Sequence, residues 1–344
     1  MPSAAVPPTR TLTAQAPTRV DFAGGTLDLW PLYLFFPGAR TLNAAIDLVS
    51  RVCLEAIPGG YEIISKDQQR RVRVRRLEDL RACTELPLLT ALVLHFAPDE
   101  GLRVITENRS PAGSGLGGSS SLAIALAAAL AEWTGSTLGI SELMERVGNL
   151  ETQVLRTPTG VQDYYAAAYG GASLLSFGPE GVRRQALSDC SSWLGPRLVL
   201  CYTGAPHHSG LSNWQVYRRA VDRDPVTCEA LEQIVAAAER MEAALRACVP
   251  EQVADALERE WEARKRLSPQ VSTARIEEVM DVARRNGALA GKVCGAGGGG
   301  CVLLIAREGG AREVARALGE RGLEVLPFRL ASRGLQWRWE TADP

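Results

Sequence analysis

Residues 111–121 read Pro111-Ala112-Gly113-Ser114-Gly115-Leu116-Gly117-Gly118-Ser119-Ser120-Ser121, between a short run of strand character and an alanine-rich run, Ser119 to Trp133, of helical character. Glycines at this density let the backbone enter the left-handed region and approach a ligand, so that successive N–H groups face one anion. The serines open the helical run, where unpaired N–H groups and the positive end of the helix dipole favour negative charge. Their hydroxyls can bind phosphate oxygen or a metal ion. The stretch reads as a loop built to hold phosphate.

Rival readings are weaker. Gly113-x-Gly115-x-x-Gly118 matches the dinucleotide fingerprint, but the acidic residue that should end a second strand is Glu132, inside the helical run. No Gly-Lys-Ser/Thr follows the glycines, and no His-Arg-Asp or Asp-Phe-Gly triplet supports a protein kinase. A plain serine-capped turn stays open until other segments are considered.

Working outward, 344 residues suit one two-lobed enzyme or two compact domains. A formal net charge of -1 gives no footprint for nucleic acid or a membrane surface. No apolar run approaches about 18 residues and no basic-then-apolar leader opens the chain, so a cytoplasmic location is expected. The eight cysteines form no Cys-x-x-Cys pair, as thiols of a reducing compartment do, and no structural zinc is expected. The pair His207-His208 reads as a loop feature. Lysine occurs only at 66, 265 and 292, which argues against a lysine-based mechanism.

Residues 1–10 are proline-rich and expected to fray. Strands are expected around Thr11–Gln15, Arg19–Ala23, Ala44–Ile57, Tyr61–Ser65, Arg71–Arg75 and Leu102–Thr106, with a helix over Leu86–Ala97. Beyond Gly135, Ser141 is the expected N-cap of a helix whose Leu143, Val147, Leu150 and Val154 share a face. Glu151 falls roughly 80° from the centre of that face at ~100° per residue, so it reads either as a solvated flank or as a carboxylate reaching inward. Asp163 stands before the run Tyr164–Tyr169 and reads alone as an N-cap. An apolar strand, Ala172 to Phe177, follows. After a strand at Arg197–Tyr202 come a loop and helices near Cys228–Ala247, Glu251–Leu267 and Thr273–Asn286. Strands at Cys301–Ile305 and Leu323–Leu330 flank a helix at Ala311–Arg321, which suggests an α+β lobe of ferredoxin-like kind.

Three motifs carry a resemblance. Pro111-x-Gly113-Ser114-Gly115-Leu116-Gly117-x-Ser119-Ser120 resembles the phosphate loop of the GHMP kinases (galactokinase, homoserine kinase, mevalonate kinase, phosphomevalonate kinase). Ala16-Pro17-Thr18-Arg19-Val20-Asp21-Phe22-Ala23-Gly24-Gly25-Thr26-Leu27-Asp28 resembles the family's substrate motif, and Lys292-Val293-Cys294-Gly295-Ala296-Gly297-Gly298-Gly299-Gly300 its C-terminal glycine motif. With Thr41-Leu42-Asn43-Ala44-Ala45-Ile46 and Gln162-Asp163-Tyr164-Tyr165, the chain is most similar to sugar 1-kinases of the D-glycero-D-manno-heptose 7-phosphate kinase and galactokinase-like branch. It departs from that branch in reading Thr26-Leu27-Asp28 where Gly-Thr-Asp is usual.

The resemblance implies an α+β, two-lobed GHMP kinase fold. Residues 10–190 would form a lobe like ribosomal protein S5 domain 2, and residues 195–340 a ferredoxin-like lobe. It implies ATP and Mg²⁺ as cofactors, with the ATP phosphates held by Gly113, Ser114, Gly115, Leu116, Gly117, Gly118, Ser119 and Ser120. Asp163 would take the proton of the acceptor hydroxyl and Arg19 would hold Asp163 in place. Glu151 would bind Mg²⁺ with Ser119, from which Ser120 is hard to separate. Thr26, Asp28, Asn43, Gly297 and Gly298 would face the acceptor, a sugar or sugar phosphate phosphorylated at the anomeric hydroxyl. Left open are a mevalonate-type kinase, which Arg19 in place of lysine argues against, and an inactive sugar or nucleotide sensor.

Overall fold

A computed structural model of the protein describes residues 10–340 other than 100, 207 and 208, and for 209–212 the backbone alone. The proline-rich start up to residue 9 and the His207-His208 pair lie outside the described residues.

Strands β1 (Thr11–Ala23), β2 (Arg40–Ala56), β3 (Tyr61–Ser65) and β4 (Arg70–Val74) lead to helix α1 (Pro87–Phe96) and strand β5 (Leu102–Asn108). Helices α2 (Gly118–Thr134), α3 (Ile140–Leu155) and α4 (Gln162–Tyr169) follow, then strands β6 (Ala172–Gly178), β7 (Gly181–Ala186) and β8 (Leu198–Tyr202). The second half runs α5 (Ser209–Val221), α6 (Pro225–Ala247), α7 (Pro250–Lys265), α8 (Ala274–Arg285), β9 (Ala288–Val293), β10 (Cys301–Ala306), α9 (Ala311–Glu320), β11 (Glu324–Val325) and β12 (Gln336–Glu340).

Among the described residues the strands form two sheets. The first follows the order β12-β1-β2-β5-β3-β4, with β6 and β7 continuing from the other end of β2. Only β3 and β5 pair in parallel. The second has the antiparallel order β11-β8-β10-β9, the arrangement of a split βαββαβ unit.

What reads as two strands before residue 24 is one, β1. Its first half alternates between buried and half-buried side chains, while from Ala16 onward every residue is buried. The switch coincides with a register shift against β2 at Pro17/Thr18, where proline cannot donate to the ladder. Beyond it, helices cover both faces. Helix α2 is apolar all round and correspondingly central, with thirteen buried residues from Ser120 to Trp133.

Several expectations are corrected. Gly139, not Ser141, is the N-cap of α3, and no side chain caps that end. Helix α5 and strands β7 and β12 stand where no element was expected, since Gly, Ser, Arg and Trp interrupt their apolar patterns. The expected strand Leu323–Leu330 shrinks to Glu324–Val325. Residues beyond it cross to the first sheet, where Leu330 bridges Ile46 and β12 pairs with β1. The stretch 195–340 therefore returns its last strand to the N-terminal lobe. One core cluster, including Phe22 and Ile46 from the first sheet and Leu200 and Leu303 from the second, joins the two lobes. Among the described residues no helix is long and apolar enough to cross a membrane.

Candidate functional site

A cavity of about 470 Å³, within the range usual for small-molecule sites, opens between the phosphate loop, the start of α4 and the segment Gly25–Asp28. Strand β5 delivers the loop, and its glycines at 113, 115 and 117 all have φ near +70°. Gly117 is the left-handed N-cap of α2. A Cβ there would lie 2.8 Å from Cγ of Asp163, so only glycine lets the loop close on that carboxylate.

Asp163 sits in the first turn of α4, inside the helix, and Val161 is the cap. The N-cap reading is therefore excluded. Arg19, buried on β1, grips the carboxylate: Nε donates to Oδ1 at 2.6 Å, and a second guanidinium nitrogen lies 2.6 Å from the same oxygen. The same side chain donates from Nη1 to the Gly115 carbonyl at 2.5 Å, while its backbone N–H donates to the Leu116 carbonyl at 3.0 Å. Arg19 thus ties the phosphate loop and Asp163 into one rigid unit. Burial works against its charge, but Asp163 and Asp21 overcome this and hold the guanidinium firmly protonated.

Glu151 is buried, so the solvated-flank reading is also excluded. Ser119 Oγ donates to its Oε1 at 3.1 Å, Ser120 Oγ to Oε2 at 2.9 Å, and the Tyr164 hydroxyl to Oε2 at 2.7 Å. Burial raises its proton affinity, and the three hydroxyls oppose this. A carboxylate and serine hydroxyls form the hard oxygen set that suits Mg²⁺, which needs only one or two protein carboxylates when phosphates complete the shell. The residues present fit that ion. Both serines reach Glu151, so the geometry favours neither.

Asp28 lies on the cavity wall, buried, its Oδ2 accepting the Gln162 backbone N–H at 3.1 Å. Burial raises its pKa to about 6, and Asp163 adds to the rise while the Gln162 N–H and Arg19 oppose it. Thr26 also lines the cavity, with φ of 72°, a left-handed conformation that strains a β-branched residue. Arg264 Nη1 donates to its Oγ1 at 3.2 Å and Nη2 to the Gly25 carbonyl at 2.9 Å, which holds the segment in place.

Three expected acceptor residues do not line the cavity. Asn43 is fully buried beneath α4, its Nδ2 donating to the Gln162 carbonyl at 3.2 Å. Gly297 and Gly298 face residues 270 and 271 ahead of α8, while Gly295 and Ala296 reach the cavity. Leu116 is buried in the core shared by the lobes and serves through its carbonyl. Gly300 and Cys301 dock the glycine motif on the phosphate loop, with the Cys301 N–H donating to the Ser114 carbonyl at 2.7 Å.

A buried ionic cluster escaped the sequence reading. Lys292 pairs with Asp21 and lies 3.5 Å from Glu260 Oε2, and Glu260 Oε1 accepts from Arg264 Nε at 2.9 Å. Burial would raise Asp21, but Lys292, Arg19 and Arg264 outweigh it and hold its pKa near 2. Asp21 and Lys292 lie inside the quoted motifs, so motif membership was the available signal. Glu260 and Arg264, four apart on α7, look like any surface pair in sequence.

Comparison with known proteins gives these features a lineage. The family model described as GHMP kinases N terminal domain matches residues 85–171, and that described as GHMP kinases C terminal matches residues 241–323. D-glycero-alpha-D-manno-heptose 7-phosphate kinase of Campylobacter jejuni is 27% identical, over 96% of this chain and 99% of its own. The bifunctional fucokinase/GDP-fucose pyrophosphorylase of Arabidopsis thaliana is also 27% identical, over 93% of this chain and 32% of its own. The crystal structure of a D-glycero-D-manno-heptose 1-phosphate kinase from Bacteroides thetaiotaomicron superposes with a TM-score of 0.79 at 27% identity, covering 96% of this chain and 100% of that one. With both family domains matched in order and the two-lobed fold shared end to end, the chain belongs to the GHMP kinase family.

Proposed function

We propose that the protein transfers the γ-phosphate of ATP to a hydroxyl, the anomeric one, of a sugar or sugar phosphate, with Mg²⁺ as the metal. The observation that carries this reading is the closeness of Asp163 to Gly117: the one carboxylate of α4 lies against the phosphate loop, clamped by Arg19. An acceptor hydroxyl on the cavity side of Asp163 would then lie beside a phosphate held by the loop.

The chain's own residues divide the work. Backbone N–H groups of Gly113, Gly115, Gly117 and Gly118, with the N-terminus of α2, cradle phosphate oxygens, while the Ser114 N–H closes the loop on the Pro111 carbonyl. Asp163 accepts the acceptor's proton as its oxygen bonds to phosphorus, the bond from phosphorus to the β-phosphate oxygen breaks, and ADP leaves. Arg19 keeps the carboxylate aimed and offsets the negative charge that develops beside it. Glu151 with Ser119 or Ser120 would hold Mg²⁺, whose chemistry when bound is to neutralise the charge on the β- and γ-phosphate oxygens. The Leu86–Leu89 run, also on the cavity wall, offers apolar surface for the adenine.

The test is ADP release over a panel of sugars and sugar phosphates. Turnover with at least one member is expected. Binding of ATP and a sugar with no ADP release would replace the kinase with a sensor on the same fold, and turnover confined to acyclic alcohols would favour the mevalonate-type alternative.

A further inference from the structure

We propose that Arg264, a residue of α7 outside all three motifs, positions the acceptor: its guanidinium holds Gly25 and Thr26 in a conformation that a threonine would otherwise leave. The inference rests on the kinase reading and adds to it a residue on which acceptor binding depends.

The segment needs a holder. Thr26 is the third residue of a turn closed by the Leu27 N–H on the Gly24 carbonyl at 3.2 Å, and its φ of 72° is one that turns give to glycine or asparagine. A β-branched side chain is strained there, and such strain persists only where the surroundings over-determine the backbone. Both ends of the segment are anchored. Thr41 Oγ1 donates to the Gly24 carbonyl at 2.9 Å, and Asp28 Oδ2 accepts the Gln162 N–H at 3.1 Å. Between these anchors Arg264 takes hold, with Nη2 donating to the Gly25 carbonyl at 2.9 Å and Nη1 to Thr26 Oγ1 at 3.2 Å. Nη1 also reaches the Gly295 carbonyl at 3.3 Å, where the glycine motif meets the cavity. One guanidinium thus fastens a piece of cavity wall from each lobe.

Arg264 can do this because it is itself locked. It is 1% exposed, and its Nε donates at 2.9 Å to Oε1 of Glu260, one turn earlier on α7. Glu260 Oε2 in turn lies 3.5 Å from Lys292, which pairs with Asp21. A planar guanidinium fixed along one edge by a carboxylate offers its remaining donors in a set geometry, which an ammonium on a flexible stem does not. Gly25 is cut to fit it, since a Cβ there would lie 2.8 Å from Nη2. Thr26 and Asp28 line the cavity together with Asp163, whereas Arg264 lies behind them, so its effect on an acceptor passes through that segment.

The experiment measures the KM values for acceptor and ATP separately. The acceptor is the sugar that the unaltered chain turns over best among D-galactose, L-fucose, D-mannose and D-glycero-D-manno-heptose 7-phosphate. In Arg264→Gln the acceptor KM should rise at least about 10-fold while the ATP KM moves by less than about twofold. Glycine takes a φ of 72° without help, so adding Thr26→Gly to Arg264→Gln should recover at least about fivefold of that loss. Equal shifts in both KM values, or no gain from the glycine, is what a merely structural arginine would give and overturns the inference, leaving the kinase standing. If Arg264→Gln fails to fold, two single variants decide. Thr26→Val stays strained and lacks the hydroxyl that Arg264 holds, so its acceptor KM should exceed that of Thr26→Gly by at least about threefold, and equal values or the reverse order overturn the inference. No ADP release by the unaltered chain with any sugar of the panel removes the kinase reading and this inference with it.

Discussion

The Tyr164 hydroxyl donates to Glu151 Oε2 at 2.7 Å, so the residue that follows Asp163 in the chain also orients the carboxylate that faces the phosphate-loop serines. One turn of α4 thereby places both carboxylates of the proposed transfer, Asp163 directly and Glu151 through Tyr164. In Tyr164→Phe the carboxylate loses one of three donors and binds protons more readily. The Mg²⁺ concentration for half-maximal activity should rise several-fold, more at pH 6.5 than at pH 8. A hydrogen bond to a charged group is worth about 1.5–3 kcal/mol, so unchanged titrations at both pH values would detach Glu151 from the metal.

Asp163→Asn keeps the shape of the side chain and one hydrogen bond from Arg19 but removes the base. Turnover should fall about 10²- to 10⁴-fold while ATP binding, followed by calorimetry, stays near that of the unaltered protein. Near-normal turnover would leave α4 without a catalytic role.

Gly117→Ala places a Cβ at 2.8 Å from Asp163 Cγ and forces a left-handed conformation, φ of 74°, on a residue that resists it. The conformational cost alone is about 1–2 kcal/mol. Thermal unfolding should come a few degrees earlier, and kcat should fall by more than the stability loss explains, because the carboxylate must move. The two can be separated by assaying well below the unfolding temperature.

Asp28 offers a pH signature. Its folded pKa, about 6, lies above the ordinary 3.8, so the protonated form is favoured in the fold. Its stabilising contribution is complete below pH 3.8 and is lost as pH rises through 6, on the order of 3 kcal/mol at 1.36 kcal/mol per pKa unit. Asp28→Asn removes that titration. The melting temperature of the variant relative to the unaltered protein should climb between pH 4.5 and pH 7, while its KM for the sugar worsens. A difference flat in pH would place the ionisation of Asp28 elsewhere.

Lys292→Met strands Asp21 and Glu260 as buried carboxylates beside Arg19 and Arg264. Breaking such a pair from one side costs about 3–5 kcal/mol, readable as a lower midpoint in urea. A loss below about 1 kcal/mol would mean that the arginines alone balance the cluster.

What the sequence revealed follows from what is local. The phosphate loop and its helix are legible because glycine and serine act where they stand, through backbone freedom and N–H groups at a helix start. The inward turn of Glu151 was an open alternative, since a residue at the edge of an apolar face is decided by what packs on it, here Ser119, Ser120 and Tyr164. Gln162 lines the cavity and Asn43 does not, for a related reason. Both sit in recognisable segments, but which amide meets the cavity depends on how α4 lies across β2, a tertiary relation that no spacing encodes. The Lys292–Asp21 pair spans 271 residues, and although each partner lies inside a recognisable motif, nothing local in either motif says that the two meet.

The pairing of β12 with β1, from Thr11 opposite Glu340 to Gln15 opposite Gln336, sets the order of events during synthesis. The outer edge of the first sheet has no partner until more than 300 residues have followed β1 out of the ribosome. Until then β1 presents open N–H and C=O groups along its first five residues, a template for pairing with another nascent chain. Trp339, stacked on Trp133 with ring centroids 5.5 Å apart, seals that edge when it arrives. The first sheet thus closes only when residues 336–340 arrive, and a copy truncated before residue 336 would carry its site but keep an adhesive flank.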